Sequence, residues 1–81
     1  MRTIMGIEIA DREKEAVKVQ GLLTKHGCII KTRLGLHDTD NTCSQNGFLL
    51  LEFVHETLGE FSELETELNS LEGVIAKRME F

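Results

Sequence analysis

At 81 residues the chain is expected to be one domain spanning 1–81, of a size that buries a modest core and often gains stability by self-association. Nine basic against fourteen acidic residues leave a net charge of −5, which argues against direct nucleic-acid binding, since that affinity rests largely on Lys and Arg neutralising phosphates. No apolar run approaches bilayer length, the start of the chain runs straight into a strand pattern, and Cys28 and Cys43 form no disulfide framework, so a reducing cytoplasm without a membrane or secretory step is expected.

Residues 3–10 alternate, with Thr3, Met5, Ile7 and Ile9 on one side and Ile4, Gly6 and Glu8 on the other, which predicts a strand. Asp11 is a natural N-cap for a helix over 12–26, where Ala16, Val19, Leu22 and Leu23 recur at helical spacing. Lys25 and His26 suit the negative end of the helix dipole, and Gly27 is expected to supply the left-handed residue that stops it.

A second strand is predicted over 28–36. Strict alternation puts Cys28, Ile30, Thr32, Leu34 and Leu36 on one face and Ile29, Lys31, Arg33 and Gly35 on the other. Residues 37–46 are polar and rich in turn formers, hence a loop, and a long one for a hairpin. Gly47 to Val54 reads as a third strand, apolar on both faces except at Glu52. Thr57 to Glu60 has the form of a capping box, and Leu58, Phe61, Leu64, Leu68 and Leu71 mark a second helix. Gly73 ends it, and Val74 to Phe81 is the last strand.

This order, β-α-β-β-α-β, with right-handed crossovers, predicts an α+β, ferredoxin-like fold: a four-stranded antiparallel sheet with both helices on one face. The other face is expected to be open and to carry Ile4, Ile29, Phe48, Leu50 and Val54, interleaved with Glu8, Lys31, Arg33 and Glu52. That mixture is too apolar for a solvated surface. Ile29, Lys31, Arg33, Phe48, Leu50, Glu52 and Val54 are therefore assigned to an oligomer interface, with Cys28 a small buried hydrophobe on the opposite side.

The stretch from Val19 to Leu36, the strand Gly47 to Val54 and the segment from Thr57 to Lys77 resemble the iron-only hydrogenase system regulators. The carrying features are the helix ending in Lys25-His26-Gly27, the strand end Arg33-Leu34-Gly35-Leu36 and the approach Leu71-Glu72-Gly73-Val74. The resemblance implies a stand-alone ACT-like domain, similar in fold to the C-terminal domain of the nickel-responsive repressor. It also implies a regulatory role, in transcription among other settings, exercised as a homodimer or tetramer with a small-molecule effector or another protein as partner. No cofactor is implied. Amino-acid-binding ACT domains use a glycine-containing turn after the first strand, whereas the turn here is Ile9-Ala10-Asp11-Arg12.

His37 and Cys43 are the metal-ligating pair of the sequence, of residue types suited to nickel or zinc. The nickel-responsive repressor has a similar His-to-Cys interval, but its remaining ligands would fall on Gly35 and near Thr24. The simpler reading is a solvated loop, and the alternative is a metal-responsive protein using 37–46. Asp38-Thr39-Asp40-Asn41 lacks the Gly and Glu of a calcium loop, Asn46 to Phe53 lacks the basic and second aromatic residues of an RNA-stacking strand, and no nucleophile–base–orienter set is present, so no catalytic activity is expected. His26 and His55 read as element-end residues.

Overall fold

The computed structural model describes residues 2–10, 12–36, 47–54 and 58–81. In chain order the elements are β1 (Thr3–Ile9), α1 (Arg12–Lys25), a 3-10 turn (Gly27–Ile29), β2 (Ile30–Leu36), β3 (Gly47–Phe53), α2 (Leu58–Asn69) and β4 (Val74–Glu80). The strands form one antiparallel sheet in the order β2-β3-β1-β4. This is the ferredoxin-like arrangement that the element order implies.

The alternation in β1 decides which face is inside. Thr3, Met5, Ile7 and Ile9 are buried, and Ile7 sits opposite Leu49 of β3 and Ala76 of β4. Val19 and Leu23 of α1 and Phe61, Leu64 and Leu68 of α2 close over this face with Leu51, Phe53 and Val74 in a single core. Phe61 stacks on Phe53 with ring centroids 5.1 Å apart, and the Arg78 guanidinium lies 5.3 Å from the Phe61 centroid. At about 25 cal/mol per Å² of buried apolar area, aromatic residues of this size dominate the stability of so small a core.

Two expectations around the end of α1 need correction. Gly27 does not have a positive φ; among the described residues only Gly73 does, at 76°. The chain leaves α1 through the 3-10 turn, closed by the Ile29 N–H donating to the His26 carbonyl at 3.2 Å. That turn carries Ile29 into the core, where it is 2% exposed, and leaves Cys28 exposed. Ile29 is thus no part of the open face and Cys28 no part of the core.

The second correction follows from a bulge. Ile30 pairs with Phe53 and Thr32 with Glu52, leaving Lys31 as an extra residue in β2. Because side chains alternate with a period of two, one extra residue exchanges the faces downstream. Thr32 and Leu34 therefore share the open face with Glu52 and Leu50, while Arg33 is opposite Leu51 on the helix-covered side and stays exposed at the sheet's edge.

The opposite edge, β4, is covered at one point by a side chain. The Asn69 amide nitrogen donates to the Ala76 carbonyl at 3.0 Å, and the Ala76 N–H donates to Asn69 Oδ1 at 2.8 Å. The end of α2 thereby occupies both outward-pointing backbone groups of that residue, which an edge strand otherwise offers to another chain.

Candidate functional site

The helix-free face of the sheet concentrates the apolar surface. Leu34 is 51% exposed, Phe48 36%, Ile75 51% and Met79 54%, and Leu50 lies half-buried among them. The register brings them together: Leu34 is opposite Leu50, Leu50 opposite Gly6, and the β4 residues Ile75 and Met79 are opposite Glu8 and Ile4 of β1. Gly6 lets this surface dip. A Cβ on it would meet Phe48 Cζ at 3.1 Å, so the Phe48 ring lies across the bare backbone of β1. The result is a depression of about 480 Å³ lined by Gly6, Phe48, Leu50, Ile75, Lys77 and Met79.

The charges on this face are few and arranged by sign. Glu52 accepts from Arg2 Nε at 3.0 Å and from the Thr32 hydroxyl at 3.4 Å, so its carboxylate is already partnered. Glu8, Lys77 and Arg78 border the depression; Arg78 faces Glu65 at 3.7 Å and Glu80 at 3.8 Å, whereas Glu8 and Lys77, of opposite sign, have no ion-pair partner among the described residues. A surface that is apolar at its centre and charge-balanced at its margin loses little by being covered.

Of the residues assigned to an interface from sequence, Phe48, Leu50 and Glu52 lie on this face, and Val54 is 37% exposed just beyond the end of β3. Lys31 is the bulged residue, Arg33 is turned to the other side and Ile29 is buried. Sequence reading missed Leu34, Ile75 and Met79. The alternation of Val74 and Ala76 with Ile75, Lys77 and Met79 carries the signal for the last two, whereas nothing local in β2 announces the bulge. His37, Cys43 and His55 lie outside the described residues.

A second cluster, unforeseen from sequence, sits where α1 ends against α2. His26 is 4% exposed, with Nε2 2.8 Å from Glu67 Oε1 and Nδ1 3.3 Å from Glu60 Oε2. Lys25 Nζ donates to Glu67 Oε2 at 3.1 Å. The hydrogen bond from His26, with that from Lys25, holds the Glu67 carboxyl below the usual glutamate range, and the same contact raises the Lys25 ammonium above its ordinary value. His26 is 34 and 41 residues from these carboxylates in sequence, so no local pattern predicts the contact. The turn after β1 is tied down as well, the Ala10 N–H donating to the Gly73 carbonyl at 2.8 Å.

No family model and no curated protein matches this sequence. Among solved structures, the chain is similar to an uncharacterized protein from Thermotoga maritima, with a TM-score of 0.72 and 25% identity over 96% of this chain and 92% of that one. It is also similar to a formyltetrahydrofolate deformylase from Pseudomonas putida, with a TM-score of 0.61 and 15% identity over all of this chain but only 29% of the deformylase. The strand order, the two helices and these likenesses together make the fold ferredoxin-like and ACT-like.

Proposed function

We propose that this chain is a non-catalytic regulatory module that pairs with a second copy of itself through the open face of its sheet. Its role would be that of the iron-only hydrogenase system regulators: an ACT-like unit whose assembly responds to a small effector or another protein. The carrying observation is the apolar surface formed by Leu34, Phe48, Leu50, Ile75 and Met79 over Gly6. Three features favour a second copy as what covers it. Glu52 is already neutralised by Arg2, so burying it strands no charge. Glu8 and Lys77 carry opposite signs at one margin, and a two-fold axis passing between them would set each against the other's counterpart. Strand addition at β4 is obstructed at Ala76 by Asn69, which leaves the face rather than that edge as the route to assembly.

Native mass spectrometry of wild type, Phe48→Lys and Ile75→Lys tests this reading. Both positions are solvent-exposed in the single chain, so the variants should fold, as read by far-UV circular dichroism. The wild type should be an oligomer and both variants monomers. A wild type that is a monodisperse monomer at micromolar concentration defeats it.

A further inference from the structure

We propose that His26, Glu63 and Glu67 form a binding site for a divalent cation of zinc type, clamping the end of α1 to α2. One ring nitrogen of His26 and one carboxylate oxygen from each glutamate lie within 4.8 Å of one another. Imidazole and carboxylate are both established ligands of zinc. The site uses no residue of the open face or of the segment 37–46, and it stands whether or not the chain self-associates.

Geometry favours His26 Nε2 as the ligand nitrogen. Zinc bound at about 2.0–2.2 Å to nitrogen and oxygen in a tetrahedron separates neighbouring ligand atoms by roughly 3.3 Å. His26 Nε2 and Glu67 Oε1 now stand 2.8 Å apart, so admitting the ion parts them by about half an ångström. The metal takes the place of the hydrogen bond between them. On the far side of the ring, Nδ1 lies 3.3 Å from Glu60 Oε2, a carboxylate placed to accept from Nδ1–H when Nε2 binds the metal. A carboxylate behind a ligating imidazole is the usual outer support of such sites. Burial of the imidazole fixes its orientation in advance.

The electrostatics point the same way. Glu60, Glu63 and Glu67 fall three and four residues apart on α2, where like charges repel. Lys25 and the imidazole are the basic groups that meet them, through Glu60 and Glu67. Glu63 makes no hydrogen bond or ion pair with another described residue, in contrast to Glu65, which faces Arg78 Nε at 3.7 Å. Glu63 thus meets only the more distant charge of Lys25, and a cation relieves the repulsion it contributes. Lys25 holds Glu67 through the other oxygen, Oε2, and leaves Oε1 to the metal.

The test uses zinc and cobalt chlorides on the full chain carrying His37→Ala and Cys43→Ala, which removes the other ligand pair. Native mass spectrometry and calorimetry should give one zinc per chain. Adding Glu63→Gln should weaken binding by at least about tenfold, as loss of support at metal sites does. Glu63→Gln leaves the His26 contacts intact, so the metal-free variant should melt no lower than its parent, while zinc should raise the melting temperature of the parent more than that of the variant. Cobalt should give no thiolate charge-transfer band. Failure of the parent to retain zinc, or affinity unchanged by Glu63→Gln, overturns the proposal. So does a thiolate band in the otherwise wild-type chain that vanishes with Cys43→Ala while the double variant binds nothing.

Discussion

The Phe48 ring rests on Gly6, with Cζ 3.1 Å from where a Cβ would stand. The obstruction is the far end of a side chain on the solvent side of the sheet, not backbone. Gly6→Ala should therefore leave the fold intact, since the ring can swing a few tenths of an ångström outward. What changes is the depression, whose floor the glycine forms. The expected outcome is a melting temperature near wild type together with weakened self-association, read by sedimentation velocity across a dilution series. Unchanged association would show that the ring's position over Gly6 does not shape the contact surface.

The glycines that follow the two helices look equivalent in sequence and are not. Gly73 has φ 76°, a conformation that costs an L-residue about 1–2 kcal/mol. Its hypothetical Cβ would sit 3.5 Å from Ala10 Cβ, an ordinary contact, so backbone strain is the whole penalty. Gly27 has no positive φ and open space around it. Gly73→Ala should lower unfolding free energy by about 1–2 kcal/mol, whereas Gly27→Ala should be neutral or gain up to about 1 kcal/mol from a less free unfolded chain. Urea titrations of both variants against wild type decide it, and an equal loss at both positions would contradict the 3-10 exit from α1.

The same comparison shows what sequence reading could reach. Alternation in β1 and the spacing of Phe61, Leu64 and Leu68 in α2 place the core correctly, because in those elements the period runs unbroken. In β2 the single extra residue Lys31 breaks the period. Leu34 then emerges on the open face in place of Arg33, and Ile29 is drawn inside by the turn before it. The His26 cluster was out of reach for another reason: its partners come from α2, and only tertiary packing brings them near.

Phe61 should be the least replaceable of the core positions. It is fully buried, stacked on Phe53 and capped by Arg78. Phe61→Ala should cost about 3–5 kcal/mol, a large share of the roughly 5–15 kcal/mol that stabilises a small domain. Phe61→Leu keeps most of the volume and should cost far less. Chemical denaturation of both variants, with near-UV circular dichroism as a packing readout, checks the order.

Asn69 is exposed, yet its amide serves as a strand partner for Ala76. Asn69→Ala should lose both bonds, at about 1 kcal/mol each or less given the exposure. Asn69→Asp keeps an acceptor for the Ala76 N–H but sets a carboxylate against the Ala76 carbonyl, so it should not recover the full loss. Hydrogen exchange at the Ala76 amide should speed up in Asn69→Ala and remain protected in Asn69→Asp. Protection unaltered in both would mean that the amide contact does not shield the β4 edge.

The contact of Glu67 with His26 and Lys25 predicts a stability difference confined to a pH window. The Glu67 carboxyl is lowered in the folded chain, chiefly by its hydrogen bond to His26 and next by that to Lys25. A lowered acid stabilises the fold above its unfolded value, about 4.3 for glutamate, and the gain is lost as pH falls through the lower folded value. Lys25 is raised, chiefly by Glu67, so its contribution is complete below about 10.4 and disappears as pH rises through the higher folded value. Glu67→Gln removes both effects. Wild type should therefore exceed Glu67→Gln in stability most clearly near neutral pH, with the gap narrowing at about pH 3 and again at about pH 11. Both groups face solvent, so high salt should shrink the gap at neutral pH too. Urea midpoints at the three pH values, at low and high salt, measure it, and a gap independent of pH would mean that the carboxylate's charge contributes nothing to holding α1 against α2.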